Sequence, residues 1–314
     1  MDDKRIIKDF GNGAQLTACP SGEMTLTVPE GFVMEKPIIL TNMLTAEDLV
    51  EQRHTLHVTM HAGSRVDLAV IDRSSDIRPY DIRRAIILEV EEGASLNFCL
   101  SEEMGAEATC ANTVTTAVGG SLTMGLFSMG NGAVTNDLRV DFTADHASAD
   151  LFGAAILTGQ RKVTDRLTLE HRFRHCTDRE LFKFILDDES EGHYEGLVRV
   201  CPGATGADSC QLNRNICLSR AARMFAQPQL IIDHDDVRCS HGATVGQLDE
   251  DALFYMQQRG ISRHEARLLL LSSFLSEVIG KVPVSSLQDR LRQLAESRLR
   301  GELNHCVACG ACKN

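Results

Sequence analysis

Tryptophan is absent from the 314 residues and tyrosine occurs three times, so the chain offers no aromatic platform for stacked bases or sugars. The same poverty argues against a β-helix carbohydrate-active enzyme, whose groove would set paired carboxylates or a basic residue among aromatic walls. Positive charge is also short: 32 Lys and Arg against 44 Asp and Glu leave a formal net charge of -12, with no basic run to offset it. That field repels nucleic acid and anionic membranes, and neither is expected as a partner. No stretch approaches the ~20 apolar residues that span a bilayer, and the opening MDDKRIIKDFGNG lacks an apolar signal core. A soluble, cytoplasmic protein is expected. No GxxxxGK[ST] phosphate loop occurs, which leaves any ATP hydrolysis to another protein.

Cysteine, by contrast, is plentiful, with eleven residues. Without an export signal these read as reduced thiols, some of them metal ligands, rather than as a disulfide framework. Cys19, Cys99 and Cys110 sit in alternating apolar stretches and are expected in the core. The ending NHCVACGACKN is different: Cys306, Cys309 and Cys312 stand at two-residue gaps. Three thiolates at that spacing suit one soft metal centre, zinc or an iron-sulfur species, yet a fourth ligand is missing. His305 adjoins Cys306 too closely to serve well, and a ligand from a second chain is easier.

From about residue 20 to 245, short alternating apolar runs follow Gly or Asp/Asn punctuation. EGFVMEKPIIL, AGSRVDLAVI, EGASLNFCL and GGSLTMGLF recur at intervals of roughly 25 to 32 residues, which predicts stacked coils of a solenoid rather than a sandwich. Near residue 249 the period changes. Asp249, Glu250 and Asp251 open a helix that Gly260 closes; Ser262 and Glu265 form a capping box for a second; Ser285 and Gln288 offer another for a third. The expected division is an N-terminal segment (1–20), a parallel β-helix core (21–247), a helical subdomain (248–300) and a Cys-rich tail (301–314). The middle helix carries Leu268, Leu270, Leu271, Phe274, Leu275 and Val278 and is apolar almost all round, as a helix buried on the body and on a partner would be.

Three segments, HCTDRELFKFIL, QLNRNICLS and above all DDVRCSHGATVGQLDEDALFYMQQRGI, carry a resemblance to the SufB/SufD family of the SUF iron-sulfur cluster assembly system. Gly242 stands where SufB-type members have Glu, so the SHGAT segment is similar to the SufD type. The resemblance implies an all-β, right-handed parallel β-helix (solenoid) followed by a small C-terminal α-helical subdomain that docks an ABC-type ATPase, SufC. It implies pairing through the β-helix, as a homodimer or as a heterodimer with another family chain. It also implies a transient iron-sulfur cluster as cargo and no turnover by this chain itself; flavin involvement stays open. The family's functional His matches His241, and the six apolar residues of the middle helix fall where the family contacts its ATPase. The Cys-rich tail and the absence of a helical N-terminal region depart from the family pattern.

Beside His241, Cys239 lies two residues away and so on the same side of a strand, a spacing at which both side chains can reach one iron or zinc. Cys210 and Cys217 lie on the preceding coil, where SufB-type members carry a Cys; neither can be matched to it. His171 and His175 are expected on an exposed strand. The alternative to a scaffold is a zinc- or cluster-binding electron carrier or interaction protein that uses the Cys tail.

Overall fold

The computed structural model describes residues 6–19, 21–74 and 78–301. In chain order the strands are β1 (Ile6–Gly11), β2 (Ala14–Ala18), β3 (Glu23–Val28), β4 (Ile38–Leu44), β5 (Glu51–Met60), β6 (Arg65–Ser74), β7 (Asp81–Val90), β8 (Ser95–Glu103), β9 (Thr109–Val118), β10 (Ser121–Ser128), β11 (Ala133–Phe142) and β12 (Ser148–Leu157). Then come β13 (Lys162–His171), β14 (Thr177–Leu186), β15 (Glu191–Val200), β16 (Asp208–Cys217), β17 (Arg223–Ile232) and β18 (Arg238–Gly246). Helices α1 (Glu250–Gln258), α2 (Arg263–Ile279) and α3 (Ser285–Leu299) follow.

From β3 onward, odd-numbered strands stack in one parallel sheet and even-numbered strands in another, so each coil gives one strand to each sheet. This is the expected parallel β-helix. Ser95, Ser121, Ser148, Thr177, Asp208 and Arg238 stand in register down one sheet, and the stacking interval follows the repeat read from the sequence. Alternation along each strand sends every second side chain inward, where Leu26, Val58, Leu88, Leu122, Phe182 and Val198 belong to one continuous core. β1 and β2 form an antiparallel hairpin that pairs onto β3 and extends the odd sheet.

The outer face of the even sheet is apolar as well, and α2 and α3 cover it. Leu271, Leu275, Val278, Leu287 and Leu291 pack there against Phe127, Phe152 and Ile185. Ion pairs fasten the edges: Lys281 Nζ meets Asp150 Oδ2 at 2.7 Å, Arg290 pairs with Glu103, and buried Lys183 meets Glu277. Helix α1 starts where Asp249 Oδ1 accepts from the N–H groups of Asp251 and Ala252, both at 3.0 Å, and Ser262 Oγ caps α2 at 3.2 Å from Glu265 N. The box expected at Ser285 does not form. Val284 is the cap residue of α3, and the Gln288 amide instead donates to the carbonyls of Gly280 and Val282. Among the described residues no helix is long and apolar enough to cross a membrane.

Candidate functional site

The last coil consists of β17 and β18, and each is the outermost strand of its sheet. Pairing on one side only leaves a row of free backbone groups, and the apolar side chains Phe225, Ile231, Ile232 and Val245 stay exposed around it. Cys239 and His241 lie on β18, in register with Ser209 and Gln211 of β16. Those two β16 side chains are buried in the lumen, so Cys239 and His241 share the inward side of the terminal strand, as their spacing led us to expect. His241 is exposed and Cys239 half-buried; burial raises the Cys239 thiol, and Asp178 and Asp208 add to the effect.

The other sequence candidates do not join them. Cys210 pairs in register with Ser240 and has the opposite parity, so it faces away from the lumen. Cys217 has the inward parity but sits six residues beyond Gln211, roughly 20 Å along the strand, where it packs on the inner core. Cys306, Cys309 and Cys312 lie outside the described residues. Among the described residues no group of three or more His, Cys, Asp and Glu converges to hold a metal; Cys239 and His241 are a thiol and an imidazole on one side of the terminal strand. In the helices, Leu268, Leu271, Leu275 and Val278 are buried by their own chain, and Leu270 and Phe274 are half-buried. The apolar stripe of α2 therefore serves mostly to seat the helices on the solenoid. The exposed apolar side chains here are Phe254 (62%), Tyr255 (60%) and Leu269 (50%).

A polar column inside the lumen escaped the sequence reading. On the odd sheet His54, Arg84, Asn112, Asn136, Asp165 and Tyr194 stand in register. Arg84 reaches across to Asp72 with two hydrogen bonds, of 2.5 and 2.6 Å. Asn112 Nδ2 donates to Glu102 Oε1 at 3.0 Å and Asn136 Oδ1 at 2.8 Å, and Asn136 Nδ2 donates to Asp165 Oδ1 at 2.8 Å. Toward the open end, Tyr194 Oη and Gln211 Nε2 both donate to Glu180 Oε2, at 2.8 and 2.7 Å. Burial pushes the Glu180 carboxyl up to about 8, with help from Asp178, and Asp165 up to about 7. His171, expected on an exposed strand, is fully buried: its Nε2 lies 2.6 Å from Asp178 Oδ1, and Asp178 Oδ2 accepts from Ser209 Oγ at 3.0 Å. His175 lies in the turn after β13 with φ 54°. The signal that finds this column is parity: Asp178 and Glu180 share it with Phe182 and Phe184, which are plainly core.

Residues 42–274 match the family described as SUF system FeS cluster assembly, SufBD core domain. Among curated relatives, a SufBD family iron-sulfur cluster assembly protein of Synechocystis is 34% identical over 52% of this chain and 36% of its own length. The iron-sulfur cluster assembly protein SufD of Escherichia coli is 28% identical over 56% of this chain and 41% of its own. That of Bacillus subtilis is 26% identical over 90% of this chain and 65% of its own, so the chain spans between about a third and two thirds of these relatives. With the family match covering most of the solenoid and reaching into α2, the chain belongs to the SufBD family of the SUF iron-sulfur cluster assembly system.

Proposed function

We propose that the chain is a scaffold component that receives a nascent iron-sulfur cluster at its terminal coil and works with an ABC-type ATPase of the SufC kind. The observation that carries this reading is the placement of Cys239 and His241 on the inward side of the last strand, beside free edges. Thiolate and imidazole suit iron, and two donors leave coordination positions for others. A second family chain, identical or paralogous, docked on β17 and β18 would supply those donors and cover Ile232 and Val245. We place the ATPase on the exposed Phe254, Tyr255 and Leu269, with buried Leu268, Leu271, Leu275 and Val278 coupling α2 to the coils. Cys306, Cys309 and Cys312 are read as a landing site for iron-sulfur species or zinc.

The test is anaerobic co-purification with the ATPase, native mass measurement, and reconstitution with iron and sulfide. A two-to-two assembly with a visible chromophore is expected, lost in His241→Ala and weakened in Cys239→Ser. An assembly that takes up no iron, or a His241→Ala variant that matures normally, sinks the reading.

A further inference from the structure

The Gln211 side chain is fully buried on the inner face of β16. Its amide nitrogen is spent on Glu180 Oε2 at 2.7 Å, and that oxygen also accepts from Tyr194 Oη. The cluster is built with room reserved for it: a Cβ on Gly196 would lie 2.2 Å from Gln211 Nε2 and 2.9 Å from Tyr194 Oη. With the nitrogen fixed, the carbonyl oxygen Oε1 has no hydrogen-bond partner among the described residues. Buried amide oxygens are rarely left without a donor. The next residue up the same column, on a strand about 4.8 Å away, is His241, whose exposed side chain stops short of Oε1 in this structure.

We propose that Gln211 is a positioning residue for His241: when the exposed imidazole turns toward β16, Oε1 accepts the N–H of the nearer ring nitrogen, and the other ring nitrogen is thereby fixed as an unprotonated donor pointing out of the open end. This inference rests on the reading of His241 as a ligand, and it adds what orients that ligand. Glu180 and Tyr194 act one step further back, by holding the amide so that its oxygen and not its nitrogen faces the terminal coil. An imidazole that can turn freely splits between two tautomers; one held by an acceptor presents a single nitrogen to the metal.

The test uses the full-length chain with 15N-labelled histidine. His241 in the wild type is expected to show one neutral tautomer, Gln211→Glu to keep it, and Gln211→Leu to show both. Titration with Zn2+ alone, followed at the His241 resonances so that the tail thiols do not enter, is expected to give affinity about 10- to 100-fold weaker in Gln211→Leu, with Gln211→Glu near wild type. Gly196→Ala, which displaces the amide without altering Glu180 or His241, is expected to mimic Gln211→Leu. Mixed tautomers in the wild type, which need no variant to observe, overturn the assignment; so does a single tautomer that survives Gln211→Leu. One tautomer lost in Gln211→Leu, but with no zinc response in any form, leaves the hydrogen bond standing and overturns both the positioning role and the donor site it serves.

Discussion

The lumen buries acid in two ways, and Asp72 and Glu180 show the contrast between them. Around Arg84, the guanidinium answers Asp72 with two hydrogen bonds and cancels that charge on the spot, while Glu102, 3.4 Å from the same guanidinium, is pushed up to about 8 by burial and by Asp72. Around Glu180 no guanidinium or ammonium enters among the described residues. Its partners are the neutral Tyr194 and Gln211, and neighbouring Asp178 has an imidazole and a hydroxyl. Both coils are enclosed on either side and exclude water, so an ionised carboxylate there needs a cation. Glu180, two coils from the end, has none and holds a proton instead, as burial also raises Asp165 to about 7, and the Gln211 oxygen beside it is left without a donor among the described residues.

The largest effect expected from breaking this contrast is on the paired region. Arg84→Met strands Asp72, which is fully buried, and should cost about 3–5 kcal/mol in urea unfolding. A loss below about 1 kcal/mol would mean that mid-lumen charge is not compensated by the arginine.

The next concerns pH. Glu180 titrates near 8 in the folded chain and near 4.3 when unfolded, so between these values the folded state holds the extra proton. Its contribution is complete below about pH 4 and falls away as pH rises to about 8. Glu180→Gln keeps a neutral side chain, and its melting temperature should gain on the wild type as pH is raised across that window. Parallel curves would place Glu180 with the charged, compensated group instead.

Tyr194→Phe removes one of the two donors to Glu180 Oε2 and should cost about 1 kcal/mol, read from the same unfolding curves. His241→Ala should change stability by no more than about 0.5 kcal/mol, since the residue is exposed, while it removes cluster uptake. A large loss of stability in that variant would make His241 a structural residue.

Much of this architecture is legible in the chain before any coordinates. Gly-punctuated alternation gives coils, Asp249 and Ser262 give helix starts, and period-two spacing puts Cys239 and His241 on one side. The polar column is not legible, because the stacking interval varies: Asn112 and Asn136 meet across 24 residues, Asn136 and Asp165 across 29. A polar residue at an inward position reads as an outward one unless the register is known, which is why His171 looked exposed. The helix α2 misled for a related reason. Its apolar surplus is real, but a sequence does not say which side meets a sheet whose outer face is itself apolar.

The sequence by itself determined the kind of coil, the switch to helices and which side chains share one side of the last strand, because these depend on residue type and short-range spacing. Tertiary structure alone decided which side chains stack in the lumen, that Gln211 lies beneath His241, and that α2 turns its stripe toward the body. Those relations join residues 24 positions apart where Asn112 meets Asn136 and 94 apart where Lys183 meets Glu277 of α2, and coil length and sheet register set such distances, with no local pattern to record them.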